Sequence, residues 1–362
     1  MNKKRTVFLT GATGLVGSYL LNVLLEQGHK VYTLSRGKGK KSAEERVREC
    51  IAFWNKETFR KHRDDLIIVE GDIIKDNFNI KNFDLENIRK NVEEIFHLAA
   101  ITDVNWNVGD IRKVNVGGTK NLFDFCLNCK NLKKINHIST TFVCGDYDGI
   151  FGEKDLNVGQ KFNNSYERSK LESEMMAQDY RKKGLWIDIY RFPFIVGESL
   201  SGKTNQFKHL YQLLHICSLE LIDCLPISNV NVNIIAVDAA VKSLYALSRH
   251  NSQENETYQL FNKQSFSFEK ILSLCSKVIE FKMPKIISSK DFNLNLFSPI
   301  QATILRKNLL SINFKVKLLS DYTNDVLSKC GFSLPLIDES FILKLAQYTV
   351  DSRFIKKSVK LN

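Results

Sequence analysis

The stretch Thr6-Val7-Phe8-Leu9-Thr10-Gly11-Ala12-Thr13-Gly14-Leu15-Val16-Gly17 decides the fold. Thr6–Thr10 is a short β-branched and apolar run and reads as a strand. Glycines follow at 11, 14 and 17, and Leu15–Gln27 then places apolar residues at helical spacing. A glycine triplet alone is a weak signal, but between a strand and a helix it is a specific one. Gly11 permits the tight turn, Gly14 lets the backbone approach a pyrophosphate, and Gly17 lets helix and strand pack closely. Thr13, Leu15 and Val16 complete the turn and open the helix, whose free N–H groups meet that pyrophosphate. Glycines that merely punctuate a turn are the plainer alternative.

The same rhythm continues outward. Lys30–Ser35, Leu66–Glu70, Glu94–Leu98, Lys134–Ser139 and Trp186–Phe192 read as further strands. Ala43–Lys61, Leu85–Asn91, Arg112–Cys129 and Tyr166–Lys183 read as the helices between them. Such alternation implies an α/β fold, a doubly wound parallel Rossmann sheet with helices on both faces. Beyond about residue 197 helical patterns dominate, at Phe207–Leu221, Ala236–Arg249 and Phe268–Phe281. Strands are expected there only near Asn231–Ile235 and Thr257–Phe261. The expected division is a dinucleotide-binding domain over 1–196 and a smaller, mostly helical C-terminal substrate lobe over 197–362, partly interleaved with the sheet.

The end of the second strand bears on which dinucleotide is bound. An NAD site carries an acid about 20 residues beyond the glycines, to bond the ribose 2′-hydroxyl. No acid lies between Glu26 and Glu44; the sequence there reads Ser35-Arg36-Gly37-Lys38-Gly39-Lys40-Lys41. The planar fork of Arg36 can clasp a 2′-phosphate, which favours NADP(H) over NAD(H). The alternative is a solvated basic loop.

Composition narrows the class. At 362 residues, 43% hydrophobic and 25% charged, the chain has ordinary globular values, which exclude disorder, collagen or coiled coil as its main architecture. No apolar run approaches the ~18–20 residues of a spanning helix. Asn2–Arg5 before an apolar stretch resembles a secretory signal, but the glycines interrupt it and no cleavage pattern follows. Eight cysteines in so long a chain are not a disulfide framework. Cys126 and Cys129 form a lone C-x-x-C without further ligands nearby and read as two half-buried helix thiols. A reducing cytoplasm is the expected location. The net charge of +12 attracts anions such as phosphorylated cofactors or acidic proteins. Basic clusters stand at Lys3–Arg5, Arg36–Lys41 and Lys356–Lys360, with no nucleic-acid module pattern beside them. Nucleic acid is therefore not an expected partner.

Tyr166-Glu167-Arg168-Ser169-Lys170 begins a helix, so Tyr166 and Lys170 share one face, one turn apart. An ammonium beside a phenol is expected to lower its pKa and fit it for proton transfer. Ser139-Thr140-Thr141 follows a strand, where a hydroxyl can meet a substrate oxygen. One motif invites a different reading. Gly197-Glu198-Ser199-Leu200-Ser201-Gly202-Lys203-Thr204 matches a triphosphate-binding loop, and Asp238 mimics the acid that helps hold Mg²⁺. The strand before it already belongs to the first sheet, and too little β pattern follows to build a second.

Taken together these motifs resemble an extended short-chain dehydrogenase/reductase. More narrowly they resemble its thioester reductase and fatty acyl-CoA reductase branch, with a male sterility type of NAD-binding domain. The blocks that carry the likeness, in order, are the glycine turn, Gly71–Ile73, Phe96–Ala100, Asn115–Thr119, His137–Thr140, Tyr166–Lys170 and Arg191–Ser199. The likeness is strong to about residue 205 and looser beyond. It implies that Thr140, with Ser139 the weaker choice, bonds the substrate carbonyl oxygen and that Tyr166 donates the proton. Lys170 would tune Tyr166 and hold the nicotinamide ribose, and Asn115 would match the family's helix asparagine. Asp72 and Ile73 would lie along the adenine, Ala99 and Ala100 would line the cofactor, and Pro193, Phe194 and Ile195 would face the nicotinamide. The implied activity is NADPH-dependent reduction of an acyl-CoA or an acyl-carrier protein thioester to an aldehyde or alcohol. The alternatives are an extended short-chain dehydrogenase/reductase acting on a hydroxyl, ketone or nucleotide-sugar substrate as a dehydrogenase, epimerase or dehydratase, and a cofactor-binding protein without catalysis.

Overall fold

The computed structural model describes residues 4–104, 106–227, 231–250, 252, 254–262, 266–288, 293, 295, 297–299, 301–303, 305 and 316–356. Lys3 and 357–360 of the basic clusters lie outside the described residues. The strands of the central sheet are β1 (Thr6–Thr10), β2 (Lys30–Ser35), β3 (Leu66–Glu70), β4 (Glu94–His97), β5 (Lys134–Thr140), β6 (Ile187–Phe192) and β7 (Thr257–Gln259). They form one sheet in the order β3-β2-β1-β4-β5-β6-β7, with every pair parallel. The order reverses between β1 and β4, and the crevice at such a reversal is where doubly wound sheets bind ligands.

The longer helices are α1 (Leu15–Glu26), α2 (Ala43–Trp54), α3 (Asn82–Asn91), α4 (108–126), α5 (Ser165–Lys182), α6 (Leu210–Ser218), α7 (Val237–Arg249), α8 (Phe268–Ile279), α9 (Asp321–Lys329) and α10 (Glu339–Asp351), with a short one at Lys56–Lys61 after α2. They cover both faces. Side chains alternate along a strand, so Val7 and Leu9 join a core shared with α1, α2, α6, α7, α8 and α10. Phe8 points the other way, into a core with α3, α4 and α5. The C-terminal region thus packs on the α1 side, and β7 returns from it to the sheet edge beside β6.

Some boundaries differ from the sequence reading, each for a local reason. The helix expected over 43–61 breaks at Asn55, whose backbone is extended and whose side chain accepts from the Glu57 N–H at 3.0 Å. An asparagine that caps a new helix competes with continuing the old one. The helix expected from Arg112 begins at Val108 instead, capped by Asn107, passes through a π turn at Lys113–Gly117 and ends at Cys126. The first helix beyond 197 is shorter than expected, and His209 at its start has φ 50°.

Loop 197–204 is a packing corner. A Cβ on Gly202, at φ +70°, would lie 2.4 Å from the Lys344 carbonyl oxygen of α10. Lys203 lies over the Phe53 ring at 4.6 Å and donates to the Phe53 carbonyl. Asp238 accepts from the Ser199 N–H and hydroxyl at 2.8 and 2.7 Å. The groups a triphosphate site needs free are committed to α2 and α7. Burial pushes the Cys129 thiol up to about 12 and the Cys126 thiol up as well. Among the described residues no helix is long and apolar enough to cross a membrane.

Candidate active site

A cavity of about 590 Å³ opens at the C-terminal ends of the strands, where the strand order reverses. Its floor is the turn between β1 and α1. Gly11 has φ +78°, and a Cβ there would lie 2.7 Å from the Ala99 backbone nitrogen. A Cβ on Gly17 would come within 2.1 Å of the Gly11 oxygen, so only glycine lets α1 start so close to β1. Gly14 is the N-cap of α1, with no side-chain cap and no acid in the first turn. Orphan N–H groups at an uncapped helix start, facing a glycine-lined cleft, suit a pyrophosphate. The residues present therefore fit a dinucleotide.

Gly11, Thr13, Gly14, Leu15, Val16, Gly17, Asp72, Ile73, Ala99, Ala100, Pro193, Phe194 and Ile195 all line this cavity. Arg36 lines it too, exposed at the end of β2, with Nη1 3.1 Å from Asp72 Oδ2. The sequence reading missed Arg46. It reaches from α2 over the same corner, donating to the Arg36 carbonyl and, at 3.2 Å, to Thr13 Oγ1. The only available signal was a basic residue in the first helix after β2. Gln206, Lys208 and His209, also missed, line the cavity as well.

Thr140 and Tyr166 both line the cavity wall, with the Thr140 hydroxyl close enough to the phenol to act on its pKa. Thr140 also donates to the Phe192 carbonyl at 3.0 Å, which fixes its hydroxyl between β5 and β6. Ser139 is committed elsewhere: its hydroxyl donates to Glu174, which is held by Arg191 at 2.7 Å in a fully buried pair. Thr140 is therefore the hydroxyl that can turn from a backbone carbonyl to a ligand without disturbing the buried Arg191–Glu174 pair. Asn115 does not line the cavity. It sits buried in the π turn and clamps Ile101 through both backbone groups, at 2.8 and 3.0 Å, while donating to Ser169 at 2.9 Å.

The electrostatics correct one expectation. Tyr166 is not brought down by Lys170; burial pushes its phenol up to about 12, opposed by the Thr140 hydroxyl and reinforced by Glu167. The Lys170 ammonium instead donates to the Ile138 carbonyl at 2.9 Å. Burial brings Lys170 down to about 8, with Glu174 pulling the other way. Helical spacing placed the two residues on one face, but the sheet carbonyl took the ammonium. Glu167 lines the same wall, pushed up to about 7 by burial despite hydrogen bonds from the Asn163 N–H at 3.0 Å and Asn164 Nδ2 at 2.9 Å. Burial likewise brings His209 down to about 4, which keeps its ring neutral beside Phe194.

A reversed parallel sheet, a glycine turn under an uncapped helix and a Thr–Tyr–Lys wall define an extended short-chain dehydrogenase/reductase that binds a nicotinamide dinucleotide. Within that class the chain belongs to the male sterility protein family, whose model matches residues 9–244. It is 22% identical over 363 residues to a linear gramicidin synthase from Brevibacillus parabrevis, covering 95% of this chain and 7% of that one. It is 26% identical over 242 residues to fatty acyl-CoA reductase 1 of Arabidopsis thaliana, covering 56% and 49%. The chain thus spans less than half the length of either relative. Among solved structures, the terminal R domain from the myxalamid PKS-NRPS biosynthetic pathway superposes with a TM-score of 0.82 at 20% identity, over 99% of this chain and 93% of that one.

Proposed function

We propose that this protein reduces an acyl thioester, carried on coenzyme A or a carrier protein, to an aldehyde or alcohol with NADPH. The carrying observation is the Thr140–Tyr166 hydroxyl pair in the wall of the cavity that the glycine turn opens. The dinucleotide, when bound, supplies the hydride to the carbonyl carbon. Thr140 and Tyr166 orient the carbonyl oxygen and stabilise it as charge develops, commonly the largest catalytic contribution. Tyr166 gives that oxygen its proton, which a phenol held at about 12 retains at neutral pH. As the C–S bond of the resulting hemithioacetal breaks, its hydroxyl gives up a proton and the C=O bond forms, the departing sulfur takes up a proton to leave as a thiol, and an aldehyde remains. A second reduction of the aldehyde gives the alcohol. Lys170, in the same wall, would hold the nicotinamide ribose with the donors that the Ile138 carbonyl leaves, and Asn115 keeps the Ile101 loop in register.

Preference for NADPH rests on Arg36 and Arg46. The exposed Arg36–Asp72 pair is worth little in water, so Arg36 can turn to a 2′-phosphate at small cost. Arg46 stands beside it with its guanidinium already fixed. The reading assigns 1–196 to the cofactor, 197–362 to the substrate and the protein to the cytoplasm. The test is NADPH oxidation against a panel of acyl-CoAs, acyl-carrier proteins and UDP-sugars. Turnover with a thioester supports the reading; turnover with UDP-sugars alone replaces it with nucleotide-sugar chemistry.

A further inference from the structure

The segment 203–209 is tied to its neighbours at four places, of which those of Gln206 and Lys208 lie in the cavity wall. Lys203 bonds the Phe53 carbonyl at the end of α2, and Asn205 Nδ2 donates to Ser18 Oγ on α1 at 3.0 Å. Gln206 Nε2 lies 3.5 Å from the Thr13 oxygen in the glycine turn. Lys208 Nζ donates to Thr102 Oγ1, beyond β4, at 3.0 Å. The strap therefore connects both banks of the switch-point crevice. The mechanism above uses none of it.

We propose that Lys208 is a phosphate-binding residue for the dinucleotide, reaching its pyrophosphate from the side opposite the α1 N-terminus. Three observations carry this. Gln206 touches the turn that receives the pyrophosphate, and two residues of chain span at most ~7 Å, so Lys208 starts within reach of the same point. Lys208 lines the cavity together with Gly14, Leu15 and Val16 at the start of α1. Its ammonium has three donors, of which Thr102 takes one, and the other two suit an anion. Its electrostatic setting agrees: burial and Lys38 disfavour its charge while Asp103 favours it, and an arriving phosphate would favour it further. This role differs from that of Arg36 and Arg46. A pyrophosphate contact serves NADPH and NADH alike, whereas a 2′-phosphate contact serves NADPH alone.

The inference rests on the site being a dinucleotide site, and the test separates the two. Dissociation constants for NADPH, NADH and 2′-AMP are measured by calorimetry on the full chain, for the wild type and for Lys208→Met, Lys208→Arg and Thr102→Val. Lys208→Met should weaken NADPH and NADH by the same factor, about tenfold to hundredfold, and leave 2′-AMP unchanged. Lys208→Arg should restore most of the loss. Thr102→Val, which removes the tether and keeps the cation, should cost only a few-fold. Equal affinities in Lys208→Met and wild type, both melting at the same temperature, overturn the proposal. Loss confined to NADPH and 2′-AMP also overturns it, by moving Lys208 to the 2′-phosphate. Loss confined to the KM of an acyl-CoA overturns it by moving Lys208 to the substrate. If the wild type binds neither dinucleotide, the reading of the cavity itself fails.

Discussion

The Tyr166 phenol lies beside the Thr140 hydroxyl in the cavity wall, while the Lys170 ammonium one turn along is held by the Ile138 carbonyl. On the proposed reading, proton donation falls to Tyr166 and ribose binding to Lys170, on the same helix face. Tyr166→Phe should lower kcat by about 10²–10⁴-fold and leave NADPH affinity within about twofold, since the hydroxyl is needed only as charge develops. Thr140→Val should do the same to a lesser degree, because Tyr166 still meets the oxygen. Single-turnover reduction with calorimetric binding checks both. A Tyr166→Phe variant that keeps most of its activity would show that the proton comes from elsewhere.

The alkaline side of the pH profile belongs to Lys170. Its ammonium is held down to about 8 by burial, whereas the phenol stays protonated to about 12. The cation is lost as pH rises through 8, so kcat/KM for reduction should fall with an apparent pKa near 8. Lys170→Arg cannot lose its charge, and its profile should stay flat to higher pH, at whatever absolute rate remains. A limb that persists unchanged in Lys170→Arg assigns it to another group.

How far the sequence carried these readings depended on distance along the chain. The turn from Thr6 to Gly17 was legible because its strand, glycines and helix are contiguous. Tyr166 and Lys170 were legible as a helical pair for the same reason, but not the Ile138 carbonyl that takes the ammonium, 32 residues away. Arg46 touches Thr13 from 33 residues off, and Lys208 reaches Thr102 across 106, through strand pairings that no local pattern specifies. Asn55 failed for the opposite reason. Its capping is local, but the apolar spacing on either side hid the break.

Arg36 and Arg46 should set the choice of dinucleotide together. Arg36→Ala or Arg46→Ala alone should weaken NADPH by about tenfold, and the double variant should lose more than either. NADH, which lacks the 2′-phosphate, should change by less than about twofold in each. Titrations of both cofactors against the three variants decide it. Equal wild-type affinities for NADPH and NADH would remove the basis for the preference.

Substrate delivery should depend on salt. The chain carries a net charge of +12, and coenzyme A and carrier proteins are anionic, so either approaches down a favourable field. Screening acts over about 8 Å at physiological ionic strength, so kcat/KM for a CoA-bound or carrier-bound acyl group should fall as salt is added, with kcat little changed. A small uncharged thioester has nothing to steer and should show no slope. Parallel slopes for the two substrate types would leave the lysines a solubilising role alone.

Glu167 makes the protein's stability depend on pH in a direction opposite to that of a salt-bridged acid. Its carboxyl, buried in the cavity wall, is raised from 4.5 to about 7. Between those pH values the unfolded chain has released this proton and the folded chain still holds it. The folded state binds more protons there, so stability falls as pH rises and levels off above about 7. The full cost of ionising the buried group is on the order of 3 kcal/mol. Glu167→Gln keeps an acceptor for the Asn163 N–H but has no proton to lose. The variant should therefore match the wild type near pH 4.5 and melt at a progressively higher relative temperature up to about pH 7, with a constant difference beyond. Thermal unfolding of both proteins across that range checks it. Parallel curves would mean that the Asn163 and Asn164 donors already hold the carboxylate ionised, and the cavity would then carry a permanent negative charge beside Tyr166.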